Sequence, residues 1–301
     1  EGRYKEGYDA LRKARLERLE KLGVVPKDSD VYTGNSVWPK WDSLSPAEKA
    51  SEAKRMEVYA AMVDSMDQNI GRVLDYLKQT GQLDNTFIFF LSDNGADGNS
   101  VYDVARTREW IHKTMDNSIE HIGKRGSFAE YGPGWAQVGS TPHRLYKSFM
   151  YEGGIAVPAI AWGPGMKAGA VKDGFAYVQD IAPTLYALAG TSHPGTRYKG
   201  KDVLPVRGKS MLGYLRGSAD EVHAKDEPIG WELGGRKALR KGEWKIVYAN
   251  KPWGTDDWEL FNLADDPTEQ HDLSTKNPQK LGELLVAWND YVRETGVLEL
   301  P

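Results

Sequence analysis

Ser45 stands as an N-cap with Pro46 at the first helical position and Glu48 at the third. Met56, Tyr59, Val63, Met66, Ile70, Val73 and Leu77 then recur at alternating steps of three and four, up to Gly81. This pattern predicts a long amphipathic helix with one apolar stripe turned to a core. Thr86 to Leu91 follows as a near-continuous apolar run rich in β-formers, which predicts a central strand buried on both faces. Helix, short loop and buried strand are the grammar of an α/β fold. Ile155 to Trp162 reads as a second buried strand, ended by Gly163-Pro164-Gly165, with Pro158 marking an edge or a bulge. Asp180 opens a helix that runs through Leu185 and Leu188 to Gly190.

From Pro228 the period shortens to that of strands: Ile229 to Leu233, Arg236 to Arg240, Glu243 to Ala249 after a Lys241-Gly242 turn, and Trp258 to Asn262. A last amphipathic helix after Pro278 carries Leu281, Leu284, Leu285, Trp288 and Val292. The expected organisation is a larger α/β part over residues 1–227 and a small antiparallel sheet with one covering helix over 228–301. Between the periodic segments lie two others. Val24 to Leu44 is expected as an ordered loop whose Trp38 and Trp41 pack somewhere. Asp93 to Ser148 is polar and Gly-rich, too long for a connector, and is expected as a functional loop region. The chain opens inside a helical pattern (Tyr4, Tyr8, Leu11, Leu19, Leu22) with no starting Met, so its natural N-terminus is expected further upstream.

Composition narrows the chemistry. The 301 residues carry 39 Lys and Arg against 43 Asp and Glu, mixed along the chain, and no polybasic stretch offers nucleic acid a footprint. No apolar stretch approaches the ~20 residues of a membrane-spanning helix. With no Cys, disulfides, thiolate nucleophiles and Cys-based metal sites are excluded within these residues, so any chemistry must use oxygen and nitrogen groups.

Two constellations stand out. Ser92-Asp93-Asn94-Gly95 directly follows a strand end, the edge where open α/β sheets take ligands. The Asp93 carboxylate and the Asn94 amide oxygen suit a hard cation such as Ca²⁺ or Mg²⁺, although the same four residues also make an ordinary turn. Arg144-Leu145-Tyr146-Lys147 precedes Glu152-Gly153-Gly154-Ile155 at the expected head of a strand. The Lys147 ammonium there is a compact charge suited to a sulfate or phosphate oxygen; taken alone it is a surface lysine. Other patterns fall away. Gly195 to Lys201 has phosphate-loop spacing, but Asp202 takes the Ser/Thr position, and the six His residues lack ligand spacing.

With these segments in view, the chain resembles the C-terminal half to two-thirds of an arylsulfatase-type sulfatase of the alkaline-phosphatase-like superfamily. The resemblance rests on five ordered segments: 59–77, 87–95 (FIFFLSDNG), 141–158 (TPHRLYKSFMYEGGIAVP), 180–190 (DIAPTLYALAG) and 259–273 (ELFNLADDPTEQHDL). It implies part of an α/β/α sandwich, hydrolysis of sulfate esters, and a divalent cation, usually Ca²⁺ with Mg²⁺ or Mn²⁺ as alternatives, held partly by Asp93 and Asn94. Lys147 would contact the sulfate. The family's nucleophile is a formylglycine, expected outside this chain in a preceding part of the same catalytic domain. Ser140 matches the Ser-x-Pro-x-Arg spacing from which formylglycine is made, but it sits within the lysine segment. Ala156 departs from the Arg often found after Glu-Gly-Gly-Ile. Rival readings are a phosphomonoester, phosphodiester or phosphonate hydrolase of the same superfamily, or a catalytically silent module. The implied partner is a small sulfate ester, with no nucleic acid and no membrane span. The lack of Cys and of Asn-x-Ser/Thr sequons leads to the expectation of a bacterial protein, cytoplasmic or periplasmic.

Overall fold

The computed structural model describes residues 2–34 and 38–298. In chain order it contains α1 (Gly7–Lys21), α2 (Pro46–Gln79), β1 (Ile88–Leu91), α3 (Ala105–Thr114), α4 (Gly132–Gly139), α5 (Glu152–Ile155), β2 (Ala159–Trp162), α6 (Ile181–Leu188), β3 (Arg197–Tyr198), β4 (Lys201–Asp202), α7 (Leu212–Arg216), β5 (Pro228–Leu233), β6 (Arg236–Lys241), β7 (Trp244–Tyr248), β8 (Trp258–Asn262) and α8 (Pro278–Thr295). The fold is α/β, and among the described residues no helix is long and apolar enough to cross a membrane. The chain divides into two compact units, Glu1–Arg72 with Asn94–Val157 and Pro228–Pro301, and Val73–Asp93 with Pro158–Glu227. Residues 1–227 contribute to both units, and 228–301 fall in the first.

In the first unit, α2 begins with the expected capping box. The Glu48 backbone N–H donates to Ser45 Oγ at 3.3 Å and the Ser45 N–H donates to Glu48 Oε2 at 2.8 Å. Its buried residues are Ala53 and Met56, which join Tyr8, Trp41, Trp135 and Val138 in one aromatic-rich cluster. Trp41 thus packs as expected, edge-on to Tyr8 at 5.2 Å, and Trp38 stacks on Trp253 at 6.1 Å. Further along α2 the expected apolar stripe is present but largely exposed at Tyr59, Val63 and Met66. The period matches expectation and the burial does not: Tyr59 stacks on Tyr131 at 4.7 Å, while Val63 and Met66 stay exposed.

The C-terminal strands form one antiparallel sheet in the order β5-β6-β7-β8. Side chains alternate across it. Leu239, Ile246 and Leu260, opposite one another in register, meet Leu284 and Trp288 of α8. Ala238, Val247 and Phe261 face the other way, into a core with Leu145, Tyr146, Phe149 and Tyr151. The sheet is therefore packed between α8 and the segment that carries Lys147.

In the second unit, β1 pairs antiparallel with β2, Ile88 opposite Trp162 and Leu91 opposite Ala159. Expectation and structure differ here: Phe90, Ile160 and Trp162 are 40%, 61% and 42% exposed, so neither strand is buried on both faces. The second strand begins at Ala159, after Pro158, because residues 152–155 turn into α5. Asp180 starts α6 as expected. Fully buried, its carboxylate accepts from the backbone N–H groups of Tyr177 (2.9 Å) and Lys209 (2.8 Å) and lies 2.9 Å from His223 Nε2. The region expected as loop from Asp93 to Ser148 contains α3 and α4, whose short patterns are diluted by Gly and polar residues.

Candidate functional site

Asn94 and Lys147 belong to the first unit, and their segments run side by side. The Gly95 N–H donates to the Gly154 carbonyl at 2.9 Å, and the Lys147 N–H donates to the Ala96 carbonyl at 2.9 Å. The approach is backbone against backbone. A Cβ at Gly95 would collide with the Gly153 carbonyl, and one at Gly154 with the Phe149 carbonyl. This is the physical reason for Gly95 and for the Gly153-Gly154 pair. Asp93 lies in the second unit, exposed, two residues past the end of β1.

The Lys147 ammonium is half-exposed and lies 3.0 Å from Asp97 Oδ2. Asp97 also accepts from Asn99 Nδ2 at 2.8 Å. Burial pushes the Asp97 carboxyl up, but Lys147 and Asn99 outweigh it and hold the carboxyl below the usual carboxylate range. Asn99 also reaches Ser148 Oγ (3.1 Å) and the Lys147 carbonyl (3.4 Å).

Beneath the lysine segment lies a network of charges that the sequence reading did not find. Arg236, Lys245 and Glu259 project from the same face of the sheet as Ala238 and Val247. Lys245, fully buried, bridges Glu152 at 2.6 Å and Glu269 at 2.8 Å. Arg144 meets Glu259 at 3.2 Å, donates to the Trp253 and Glu269 carbonyls, and lies 4.0 Å over the Tyr151 ring. Burial alone would weaken the Arg144 charge, but Tyr151 and Glu259 overcome it and raise the guanidinium above its ordinary value. From α1, Arg12 donates to the carbonyls of Pro142 and His143. Asp97 and Asn99 could have been suspected from their place just after Ser92-Asp93-Asn94-Gly95. The partners on the sheet carry no local signal.

Ser140 is buried, and its hydroxyl donates to the Gly153 carbonyl at 3.0 Å. That bond fixes the turn after α4 and gives Ser140 a structural role. Ala156 ends α5, its N–H donating to the Glu152 carbonyl at 2.7 Å. Among the described residues no group of three or more His, Cys, Asp or Glu side chains could hold a metal ion by itself. Asp93 and Asn94 carry hard oxygen donors of the kind that Ca²⁺ and Mg²⁺ take.

A held lysine thus lies on the segment paired with Gly95 and Ala96, a group of the kind that can meet an oxyanion. Comparison with known proteins narrows the class. A family model described as sulfatase matches residues 3–191, and one described as N-sulphoglucosamine sulphohydrolase, C-terminal, matches residues 142–286. The chain belongs to the sulfatase family. It is 44% identical over 304 aligned residues to an uncharacterized sulfatase of Schizosaccharomyces pombe, covering 100% of this chain and 54% of that protein. To an arylsulfatase of Klebsiella aerogenes it is 38% identical over 212 residues, covering 70% of this chain and 45% of that protein. The chain thus spans about half the length of these relatives. A crystal structure of Ps i-CgsB with k-i-k-neocarrahexaose has the same fold, with a TM-score of 0.54 at 23% identity over 94% of this chain and 54% of that one. The relatives come from a yeast and a bacterium, so the expectation of bacterial origin is not supported.

Proposed function

We propose that the full-length protein containing this chain hydrolyses sulfate esters to an alcohol or phenol and inorganic sulfate. The observation that carries this reading is the pairing of the Asn94–Asp97 segment with the Lys147 segment, in a chain of the sulfatase family. Lys147 would contact a non-bridging sulfuryl oxygen and orient the group. Asp97 engages one of the three ammonium donors, and the others can turn to the substrate. A fixed cation at that point stabilises charge as the S–O bond breaks, which is worth more where water is excluded.

Asp93 and Asn94 would supply two oxygen ligands to a divalent cation, Ca²⁺ first, with Mg²⁺ or Mn²⁺ as alternatives. When bound, the cation contributes Lewis-acid stabilisation of the sulfuryl oxygens. The nucleophile, a formylglycine, would come from a preceding part of the same catalytic domain. That part would also cover the exposed stripe of Tyr59, Val63 and Met66 on α2; a contiguous apolar face of this kind marks an interaction surface.

The test is release of inorganic sulfate from 4-nitrophenyl sulfate by the full-length protein, with mass spectrometry of its peptides for a Cys or Ser converted to the aldehyde. Sulfate release with a converted residue upstream supports the reading. Turnover of 4-nitrophenyl phosphate or a phosphonate ester in its place moves the protein to the phosphoryl branch of the superfamily, and no turnover of either class makes the chain a silent module.

A further inference from the structure

Lys147 is held at three points, and the residue after it at a fourth. Its N–H donates to the Ala96 carbonyl (2.9 Å), and its own carbonyl accepts from Asn99 Nδ2 (3.4 Å). Its ammonium meets Asp97 (3.0 Å), and the next carbonyl, that of Ser148, accepts from Arg236 Nη1 at 2.8 Å. The backbone on either side is not relaxed. Leu145 and Ser148 adopt φ of 61° and 78°, a region that side chains other than glycine occupy only when their surroundings impose it.

The contacts of Asp97 and Arg236 are poor investments in stability alone. The Asp97–Lys147 pair is 49% and 40% exposed, the class of ion pair that contributes little to folding. Arg236 is half-buried over the Phe149 ring at 4.2 Å, with no carboxylate partner among the described residues and its Nε buried without a hydrogen bond. Burial lowers its guanidinium below the ordinary value. An apolar side chain would cover Phe149 without desolvating a charge. What it could not do is donate to the Ser148 carbonyl.

We propose that Asp97 and Arg236 are positioning residues that preset the Lys147 ammonium for an anionic substrate group, Asp97 by holding the ammonium and Arg236 by holding the carbonyl that follows it. This rests on the sulfate-ester reading above. A lysine on a free loop loses its rotamer freedom when it binds substrate, and one already held has lost it during folding. The sheet that supplies Arg236 thereby takes part in activity without touching the substrate.

The experiment is a double-mutant cycle in the full-length protein with 4-nitrophenyl sulfate as probe, measuring kcat, KM and Tm for Asp97→Ala, Arg236→Ala, Arg236→Lys and Lys147→Ala, singly and combined. Asp97→Ala and Arg236→Ala are each expected to lower kcat/KM about 10-fold, with the Tm of Asp97→Ala unchanged. Arg236→Lys, which keeps a donor, is expected to recover part of the loss. In the Lys147→Ala background neither substitution is expected to cost anything further, since both act through that side chain. Losses that add to that of Lys147→Ala would overturn the proposal. So would a rise in kcat/KM for Asp97→Ala, which marks Asp97 as a counter-ion that only competes with substrate. If Arg236→Ala does not fold, the Asp97 arm and Arg236→Lys still decide. No turnover by the wild type refutes the sulfate-ester reading itself and this inference with it.

Discussion

Glu269 shows how far a side chain's setting can depart from its sequence. It is fully buried against Lys245, with Glu152 on the lysine's other side, and Arg144 donates to its carbonyl. Burial pushes its carboxyl up, Lys245 pulls it down, Glu152 pushes it up again, and the balance stands at about 7 against an ordinary 4.5. The folded chain therefore binds this proton more tightly than the unfolded chain does, so the stability that Glu269 contributes is lost as pH rises from about 4.5 to 7. In Glu269→Gln that part of the pH dependence is expected to vanish, with a higher Tm above pH 7 than the parent. Chemical denaturation across that range checks it. Replacing Lys245 by Met strands the buried Glu152 carboxylate and takes a partner from Glu269, and is expected to cost about 3–5 kcal/mol, read as a lower denaturation midpoint. None of this was legible in the sequence: Lys245 follows Trp244 in a strand pattern as any solvent-facing lysine would, and its partner Glu152 is 93 residues away. Asp93, Asn94 and Lys147 were legible as candidates because each sits in a short segment whose glycines and charges have a local reason.

At the scale of elements, local periodicity carried the reading. The capping box of α2, the four strands β5 to β8 and α8 lie within a residue or two of expectation, since their signals are confined to adjacent positions. What periodicity cannot supply is the identity of the covering surface. Phe87 to Leu91 and the stripe on α2 looked buried from composition, yet their burial depends on residues distant in the chain. The elements α3, α4 and α5 were missed because Gly and polar residues interrupt their patterns. Trp288, which is 3% exposed, joins α8 to Leu239, Ile246 and Leu260. Trp288→Ala is expected to cost about 3–5 kcal/mol of stability, measured by denaturation of the full-length protein. Ser45→Ala removes one cap bond at the exposed start of α2 and is expected to cost about 1 kcal/mol in the same assay.

For the whole molecule, the sheet, the lysine segment and the residues after β1 form one line of dependence. The sheet gives a rigid face, the face holds 141–155 through Arg144, Arg236 and Lys245, and that segment pairs with 94–99. In the proposed sulfate-ester chemistry, Lys147 supplies the charge that meets the sulfuryl group. The most direct measurement is kcat/KM for 4-nitrophenyl sulfate in the full-length protein, wild type against Lys147→Ala, with Tm as the folding control. A fall of about 10²-fold or more is expected, with Tm nearly unchanged. An unchanged kcat/KM would remove Lys147 from that role.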